Sequence, residues 1–392
     1  MYLDKKSILV FGGSDYQLSL VKECRSLGLF TVVIDPNPEA IAQDYCDVFE
    51  IIGGQDYMST CRIIEKYNID SVITAATDKP LVMMARVAQK YGLPFFSEET
   101  ARITTDKFLM KERFIENNLP CAKGKLVSSI PSDFNYPLVI KPRDNSGSRG
   151  VIFCHSKDEA ELVLEESKSH TRSDVVVAEE VIEGTEYSIE SLHYNGKSKI
   201  VQITEKIVTP LPYFIELGHI QPPVLSDSIL EQIEELVKRV AEVFNFENCG
   251  THNEVKIKNG EITLIEVSPR IGGDFISSIL VEESTGINME RALIQISLGE
   301  DPDFSTLKPA ASGIFFFHFK EGKVKAITPI DPVMKKHGVI KHQFDLEVGS
   351  VVPIIRVGTD RYGYFIIRAK NRVELLKKRD EIFSEIEVVV VN

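Results

Sequence analysis

Four short segments carry residues whose types and spacing suit phosphate and metal chemistry. In Val139-Ile140-Lys141-Pro142 a lysine ends an apolar run, where its ammonium can reach a phosphate as a point charge. Asn145-Ser146-Gly147-Ser148-Arg149-Gly150-Val151 follows. In such a Ser/Gly-rich turn, backbone N–H groups approach phosphate oxygens without Cβ obstruction. The same residues also read as a hairpin loop with a surface lysine. In Glu179-Glu180-Val181-Ile182-Glu183-Gly184-Thr185-Glu186, backbone at a strand end can read an adenine ring. The carboxylates of Glu179 and Glu186 can take its amino group and a ribose hydroxyl, although a solvated acidic turn has the same composition. The fourth segment pairs Glu254, in His252–Lys256, with Glu266, in Leu264–Arg270. Glu266 lies in an apolar run, and a buried carboxylate is costly unless paired or bound to a cation. Two carboxylates on neighbouring strands suit Mg²⁺, which takes one or two of them plus phosphate oxygens. Arg270 beside them can hold charge on a transferring phosphoryl group, and a structural Glu–Arg pair is the bland alternative.

Composition narrows the setting. A length of 392 residues allows two or three domains, and a net charge of −13 argues against a general nucleic-acid binder. Six scattered cysteines without a C-x-x-C pair point to reduced thiols in a cytoplasmic protein. Cys249 and His252 have C-x-x-H spacing without a second ligand pair, which reads as structural. The apolar run Ile8–Phe11 stops at Gly12-Gly13, too short for a signal peptide, and no run suits a membrane span.

The elements that must position these residues follow from periodicity. Ser7–Phe11, Thr31–Ile34, Val48–Ile51 and Ser71–Ala75 read as buried strands between helical patterns, implying an open parallel sheet. Gly12-Gly13 reads as a tight turn rather than a dinucleotide fingerprint. Asp78 after the fourth strand can meet a ligand or cap a helix. Thr104-Thr105-Asp106 caps a helix over 107–118, and strands then dominate 123–193 around one helix, 157–169. A strand over 198–206 leads into a loop bearing Pro210, Pro212, Pro222 and Pro223. Ile229, Ile233, Leu236, Val237, Val240 and Phe244 define a long amphipathic helix. Thr251–Ile257 and Glu261–Val267 form a hairpin turned by Asn259-Gly260. Helices are expected over 275–299, a boundary over 301–309, then strands including Ser312–Phe319 and Tyr364–Ile367, closed by a helix over 371–385.

In this order the motifs resemble the ATP-grasp superfamily, in particular its L-amino-acid ligase, D-alanine–D-alanine ligase and biotin carboxylase group. The resemblance implies a multidomain α/β and α+β fold. An N-terminal open parallel α/β domain (1–103) precedes an ATP-grasp domain (104–308) with a mobile lid (123–187) and a small β-rich α+β C-terminal domain (309–392). It implies that Lys107 and Lys141 bind ATP, under a lid loop carrying Ser146, Gly147, Ser148 and Gly150. Glu179 and the backbone at Val181 and Ile182 would bind adenine, and Glu186 the ribose. Lys206 would meet the γ-phosphate, Glu254 and Glu266 the Mg²⁺ (or Mn²⁺), and Arg270 the acyl phosphate. Ser268 stands where the family usually has asparagine, leaving a weaker hydroxyl ligand.

The expected reaction transfers the γ-phosphoryl group to a carboxylate and then an amine displaces phosphate. The segment 212–222 and the turn Arg270–Asp274 resemble the substrate elements of the L-amino-acid ligases, with Glu216, His219 and Asp274 as candidate substrate contacts. A surface loop ordered by prolines is the alternative for 212–222. Alternatives for the reaction are activation of bicarbonate or another small carboxylate, and an ATP-binding regulatory protein without turnover. The expected partners are small-molecule carboxylates and amines, without nucleic acid or membrane; a homodimer stays open.

Overall fold

The computed structural model describes residues 5–132, 134–145, 147–305 and 308–391. The chain opens with β1 (Ser7–Phe11), α1 (Asp15–Ser26), β2 (Phe30–Ile34), β3 (Val48–Glu50), α2 (Tyr57–Tyr67), β4 (Ser71–Ile73) and α3 (Leu81–Tyr91). The strands form a parallel sheet in the order β3-β2-β1-β4, as the apolar runs predict. β1 and β2 are buried along their whole length, the signature of a sheet covered on both faces. Gly12 takes a positive φ of 98° in the turn after β1, and the Gly13 amide donates to Asp35 at 2.7 Å. That closes the turn on itself, in keeping with a structural rather than a dinucleotide-binding role.

Two helices, α4 (Glu98–Thr104) and α5 (Lys107–Glu116), lead into the next unit. Asp106 caps α5, accepting from the amides of Phe108 at 3.0 Å and Leu109 at 3.1 Å, so Lys107 is fixed on the first helical turn. A compact antiparallel sheet follows, β5-β8-β6-β7, from β5 (Gly124–Val127), β6 (Leu138–Pro142), β7 (Ile152–Cys154) and β8 (Val176–Glu180). Helix α6 (Lys157–Ser169) covers it, and the two bury their own small core around Ile140, Leu164 and Val176.

The central sheet has eight strands in the order β13-β12-β9-β10-β11-β14-β18-β16. Its members are β9 (Thr185–Tyr194), β10 (Lys197–Val208), β11 (Glu216–Gln221), β12 (Cys249–Lys258), β13 (Glu261–Ser268), β14 (Ala311–Phe316), β16 (Lys341–Phe344) and β18 (Gly363–Ala369). Helix α7 (Asp227–Phe244) packs on it through Ile229, Ile233, Leu236, Val237, Val240 and Phe244, the face that the periodicity predicts. The β12–β13 turn holds Asn259 and Gly260 at positive φ, 51° and 88°, as a type I′ hairpin turn requires. Helices α8 (Val281–Thr285) and α9 (Met289–Ser297) pack between this sheet and α1. A third antiparallel sheet, β17-β15-β19, joins β15 (Gly322–Ile327), β17 (Val351–Val352) and β19 (Val388–Val391), with α10 (Ile330–Lys336) and α11 (Arg372–Glu385) beside it.

Three expectations need correction. The proline-bearing stretch 210–223 is not a loop throughout, because Glu216–Gln221 is a strand hydrogen-bonded to β10 on one side and β14 on the other. Pro212, Pro222 and Pro223 bracket that strand and leave its own amides free to pair. Helix α11 does not close the chain: Val388–Val391 follows it and pairs with β15. Asp78 does not cap α3, whose N-terminus lies at Pro80, but turns toward Arg270.

Candidate active site

Strand alternation puts the candidate residues on one face of the central sheet. Glu186, Ser188 and Glu190 of β9 stand opposite Lys256, Glu254 and His252 of β12. Glu254 also stands opposite Glu266 of β13, beside a bulge between Glu254 and Val255. Lys206 of β10 faces His219 of β11. The Lys206 ammonium ion-pairs with Glu254, lies 3.1 Å from Glu186 and lies 3.6 Å from Glu216. Burial disfavours its charge, but the three carboxylates outweigh burial and hold its pKa well above the usual lysine value. Burial pushes the Glu254 pKa up; Lys206 and His252 more than reverse that and hold it well below the carboxylate range. Glu186 gains less: burial, opposed by Lys206 and reinforced by Glu254, raises its pKa.

A compartment of about 100 Å³ lies between this face and the β5-β8-β6-β7 sheet. Its wall includes Lys107, Lys141, Gly147, Ser148, Glu179, Ile182 and Glu186 from the sequence-derived set. Lys107 ion-pairs with Glu266. Glu179 is buried between Lys141, at 2.5 Å, and Lys111, at 2.8 Å. Burial lowers the Lys141 pKa, with Glu179 opposing and Lys111 adding to the fall. Val181 and Gly150 do not line this compartment; Gly150 instead closes on Pro142 and His170, where a Cβ would meet both at 2.9 Å. Ser146 lies outside the described residues.

A larger cavity of about 460 Å³ adjoins it and shares Gly147, Arg149, Glu216, Glu254 and Glu266 as wall. Arg270 reaches it with Nε 3.1 Å from Asp78, whose carboxyl also accepts from the Ser268 hydroxyl. Burial raises the Asp78 pKa, but Arg270 and Ser268 overcome it and hold it low. Asp274, at a positive φ of 46°, is gripped by Arg361 through two contacts of 2.7 and 2.9 Å. His219 is buried with Nε2 3.3 Å from Asp274, contrary to the surface-loop alternative for its segment. The Arg361 guanidinium lies over the Phe316 ring at 3.8 Å, so β14 and the segment before β18 build one wall.

Four polar residues at this site escaped sequence reasoning as members of it: Lys111, Glu190, His252 and Arg361. Glu190 is fully buried and lies 2.5 Å from His252 Nδ1; His252 Nε2 lies 3.2 Å from Glu254. Burial alone lowers the His252 pKa; Glu190 and Glu254 overcome it and push it up to about 9. The available signal was alternation: His252 sits two residues before Glu254 on one strand face, and the C-x-x-H spacing with Cys249 drew attention away from it. Lys111 sits one helical turn after Lys107, and Arg361 is remote from every motif.

Comparison with known proteins agrees with this architecture. Residues 134–278 match the ATP-grasp domain, and residues 315–391 match the L-amino acid ligase C-terminal domain 2. An L-arginine-specific L-amino acid ligase of Bacillus subtilis is 26% identical over 78% of this chain and 77% of its own length. An alanine–anticapsin ligase of Bacillus amyloliquefaciens is 26% identical over 73% of this chain and 68% of its own. Among solved structures, an L-amino acid ligase from Bacillus licheniformis superposes with a TM-score of 0.84 at 21% identity, covering 99% of each chain. Phosphoribosylglycinamide synthetase from Anaerococcus prevotii has the same fold, with a TM-score of 0.75 at 22% identity over 99% of this chain and 100% of its own. With an ATP-grasp domain followed by an L-amino acid ligase C-terminal domain, the chain belongs to the ATP-grasp superfamily and is one of its ligases.

Proposed function

We propose that this ligase phosphorylates the carboxylate of an amino acid with ATP and couples the acyl phosphate to a second amine, giving a dipeptide-like amide, ADP and phosphate. The observation that carries the reading is the common wall: Gly147, Arg149, Glu216, Glu254 and Glu266 border both compartments. A nucleotide in the smaller compartment would present its terminal phosphate to a carboxylate in the larger one. The similarity to ligases named for amino acids supports the substrate class. Residues 123–187 act as the lid in this reading, between an N-terminal unit (1–103) and a C-terminal unit (309–392).

Glu254 and Glu266 fit a divalent cation, since they are hard oxygen donors on opposed register positions, and each is now held by a lysine ammonium. A divalent cation held there by Glu254 and Glu266 would neutralise charge developing on the reacting phosphates. Lys107 and Lys141 orient phosphates, Glu179 and the backbone of Ile182 hold the adenine, and Glu186 takes the ribose. Arg270 stabilises the acyl phosphate, held in place by Asp78. The carboxylate oxygen attacks the γ-phosphorus as ADP leaves. The amine then attacks the acyl carbon as phosphate leaves, and Glu216 or His219 takes the amine proton. Positioning and electrostatics supply the rate, which is why no nucleophilic triad is needed.

The test is phosphate release from ATP and Mg²⁺ across amino acids, amines and bicarbonate, with products read by mass spectrometry. Release only with an amino acid, together with an amide mass, is the expected result. Bicarbonate-dependent release without an amide would overturn the substrate assignment, and no release with any substrate would favour a regulatory ATP-binding protein.

A further inference from the structure

The buried Glu190–His252 pair is used by none of the roles above, yet it touches the centre of the site. Glu190 is fully buried and accepts from three groups: His252 Nδ1 at 2.5 Å, the Gly272 amide at 3.1 Å and the Ser277 hydroxyl at 3.4 Å. The far side of the imidazole, Nε2, lies 3.2 Å from Glu254. Both ring nitrogens therefore face carboxylates. The Gly272-Gly273 turn after Arg270 closes directly on the pair: a Cβ on Gly272 would lie 2.9 Å from His252 Nδ1 and 3.0 Å from both Glu190 carboxylate oxygens. A side chain at 272 would push the imidazole off its seat. A fully buried carboxylate is expensive to keep, and three converging donors are what make it tolerable here.

The geometry points to His252 as a positioning residue, anchored by Glu190, that fixes the Glu254 carboxylate for a divalent cation. The inference rests on the metal reading proposed above. Among the described residues, Glu254 is otherwise held by Lys206, whose single ammonium is divided among Glu254, Glu186 and Glu216. A flexible lysine shared three ways does not set a carboxylate's orientation. A rigid imidazole held on its far side by Glu190 does, and it occupies one Glu254 oxygen while leaving the other to a cation. Groups that orient a metal ligand from behind commonly govern affinity by 10–100-fold.

The experiment reads metal binding without turnover. Mn²⁺ is titrated into the enzyme–ADP complex, and free Mn²⁺ is followed by electron paramagnetic resonance. Wild type is expected to bind, and His252→Ala to bind about tenfold more weakly or worse. His252→Gln, whose amide reaches about as far as Nε2, should recover most of the affinity. ADP affinity measured without metal should stay the same in all three, and the Mg²⁺ needed for half-maximal rate should rise in step with the Mn²⁺ dissociation constant. If His252→Ala does not fold, the isosteric Glu190→Gln carries the test and should weaken Mn²⁺ binding in the same direction. Unchanged Mn²⁺ affinity in a folded variant would overturn the inference and leave the pair a packing feature. A wild-type complex that binds no Mn²⁺ would overturn the metal reading itself and the inference with it.

Discussion

Lys206 lies among Glu186, Glu216 and Glu254, and Lys107 meets Glu266. Four carboxylates thus converge where the two compartments meet. Such a cluster suits a divalent cation, because buried carboxylates are costly unless counter-charged. The chemistry of Glu266 can be separated from its contribution to folding. Its side chain is 18% exposed, so replacing one oxygen by an amide leaves packing intact and weakens only the Lys107 pair. Glu266→Gln is expected to lower kcat by at least about 100-fold, as loss of a charge-stabilising group at a reacting centre does. Its thermal midpoint should stay within a few degrees of wild type. Turnover near the wild-type rate in that variant would remove Glu266 from the metal assignment. Glu254 and Glu266 were legible in the sequence because a polar residue in an apolar strand demands a reason. Lys111 and Arg361 were not, since a lysine inside a helix and an arginine before a strand are ordinary surface residues until the fold brings them to Glu179 and Asp274.

At the scale of the element, regular signals were read well and mixed signals were not. The β12–β13 hairpin announced itself through alternation on both sides of Asn259-Gly260, and α7 through an unbroken apolar stripe. β11 was hidden because prolines at 212, 222 and 223 mark turns, and they do so here at the strand's two ends. The cost was the placement of His219, which belongs to a buried strand. Helix α9 carries a different tension. Its Glu290 is buried against α1 and accepts from Ser19 at 2.8 Å, with the carboxylates of Glu23 and Glu282 near it. Burial, with those carboxylates adding to it against the Ser19 bond, raises its pKa to about 8. Since the folded value lies above the unfolded one, near 4.3, the folded state holds the extra proton between them. Stability should therefore fall as pH rises from about 4.3 to about 8 and level off above. Glu290→Gln keeps the shape and cannot ionise, so it should flatten that part of the profile and be more stable than wild type at pH 9. Urea unfolding at pH 5, 7 and 9 gives the comparison, and parallel profiles for the two proteins would show that Glu290 does not titrate in this window.

The whole molecule brings three bodies of chain to one cavity. The segments after β1 and β4 of the parallel sheet supply Tyr16 and Ala76, the central sheet supplies the carboxylates with Lys206 and, just after β13, Arg270, and the segment between β17 and β18 supplies Arg361. The central sheet itself runs on through β14, β18 and β16, so the later part of the chain shares a continuous ladder with the site. The β5-β8-β6-β7 sheet is built otherwise. It buries a core of its own and meets the rest mainly through polar contacts: Glu179 with Lys111, Arg143 with Asp106, and the loop at Gly147 against the turn at Gly358. A Cβ on Gly358 would lie 3.9 Å from the Gly147 carbonyl oxygen, so loop and turn already abut. A unit with a private core and a polar border can shift as one body at little cost in buried apolar area, which is the physical requirement for closure over reacting phosphates. ATP with Mg²⁺ should therefore slow amide hydrogen exchange in 147–151 by several-fold. Exchange in β9 and β10, which lie within the central ladder, should not change. The contrast between the two segments is what identifies a lid, since general stabilisation by a bound ligand would slow both. Equal protection everywhere, or none in 147–151 at saturating nucleotide, would mean that this sheet stays where it is when ATP binds.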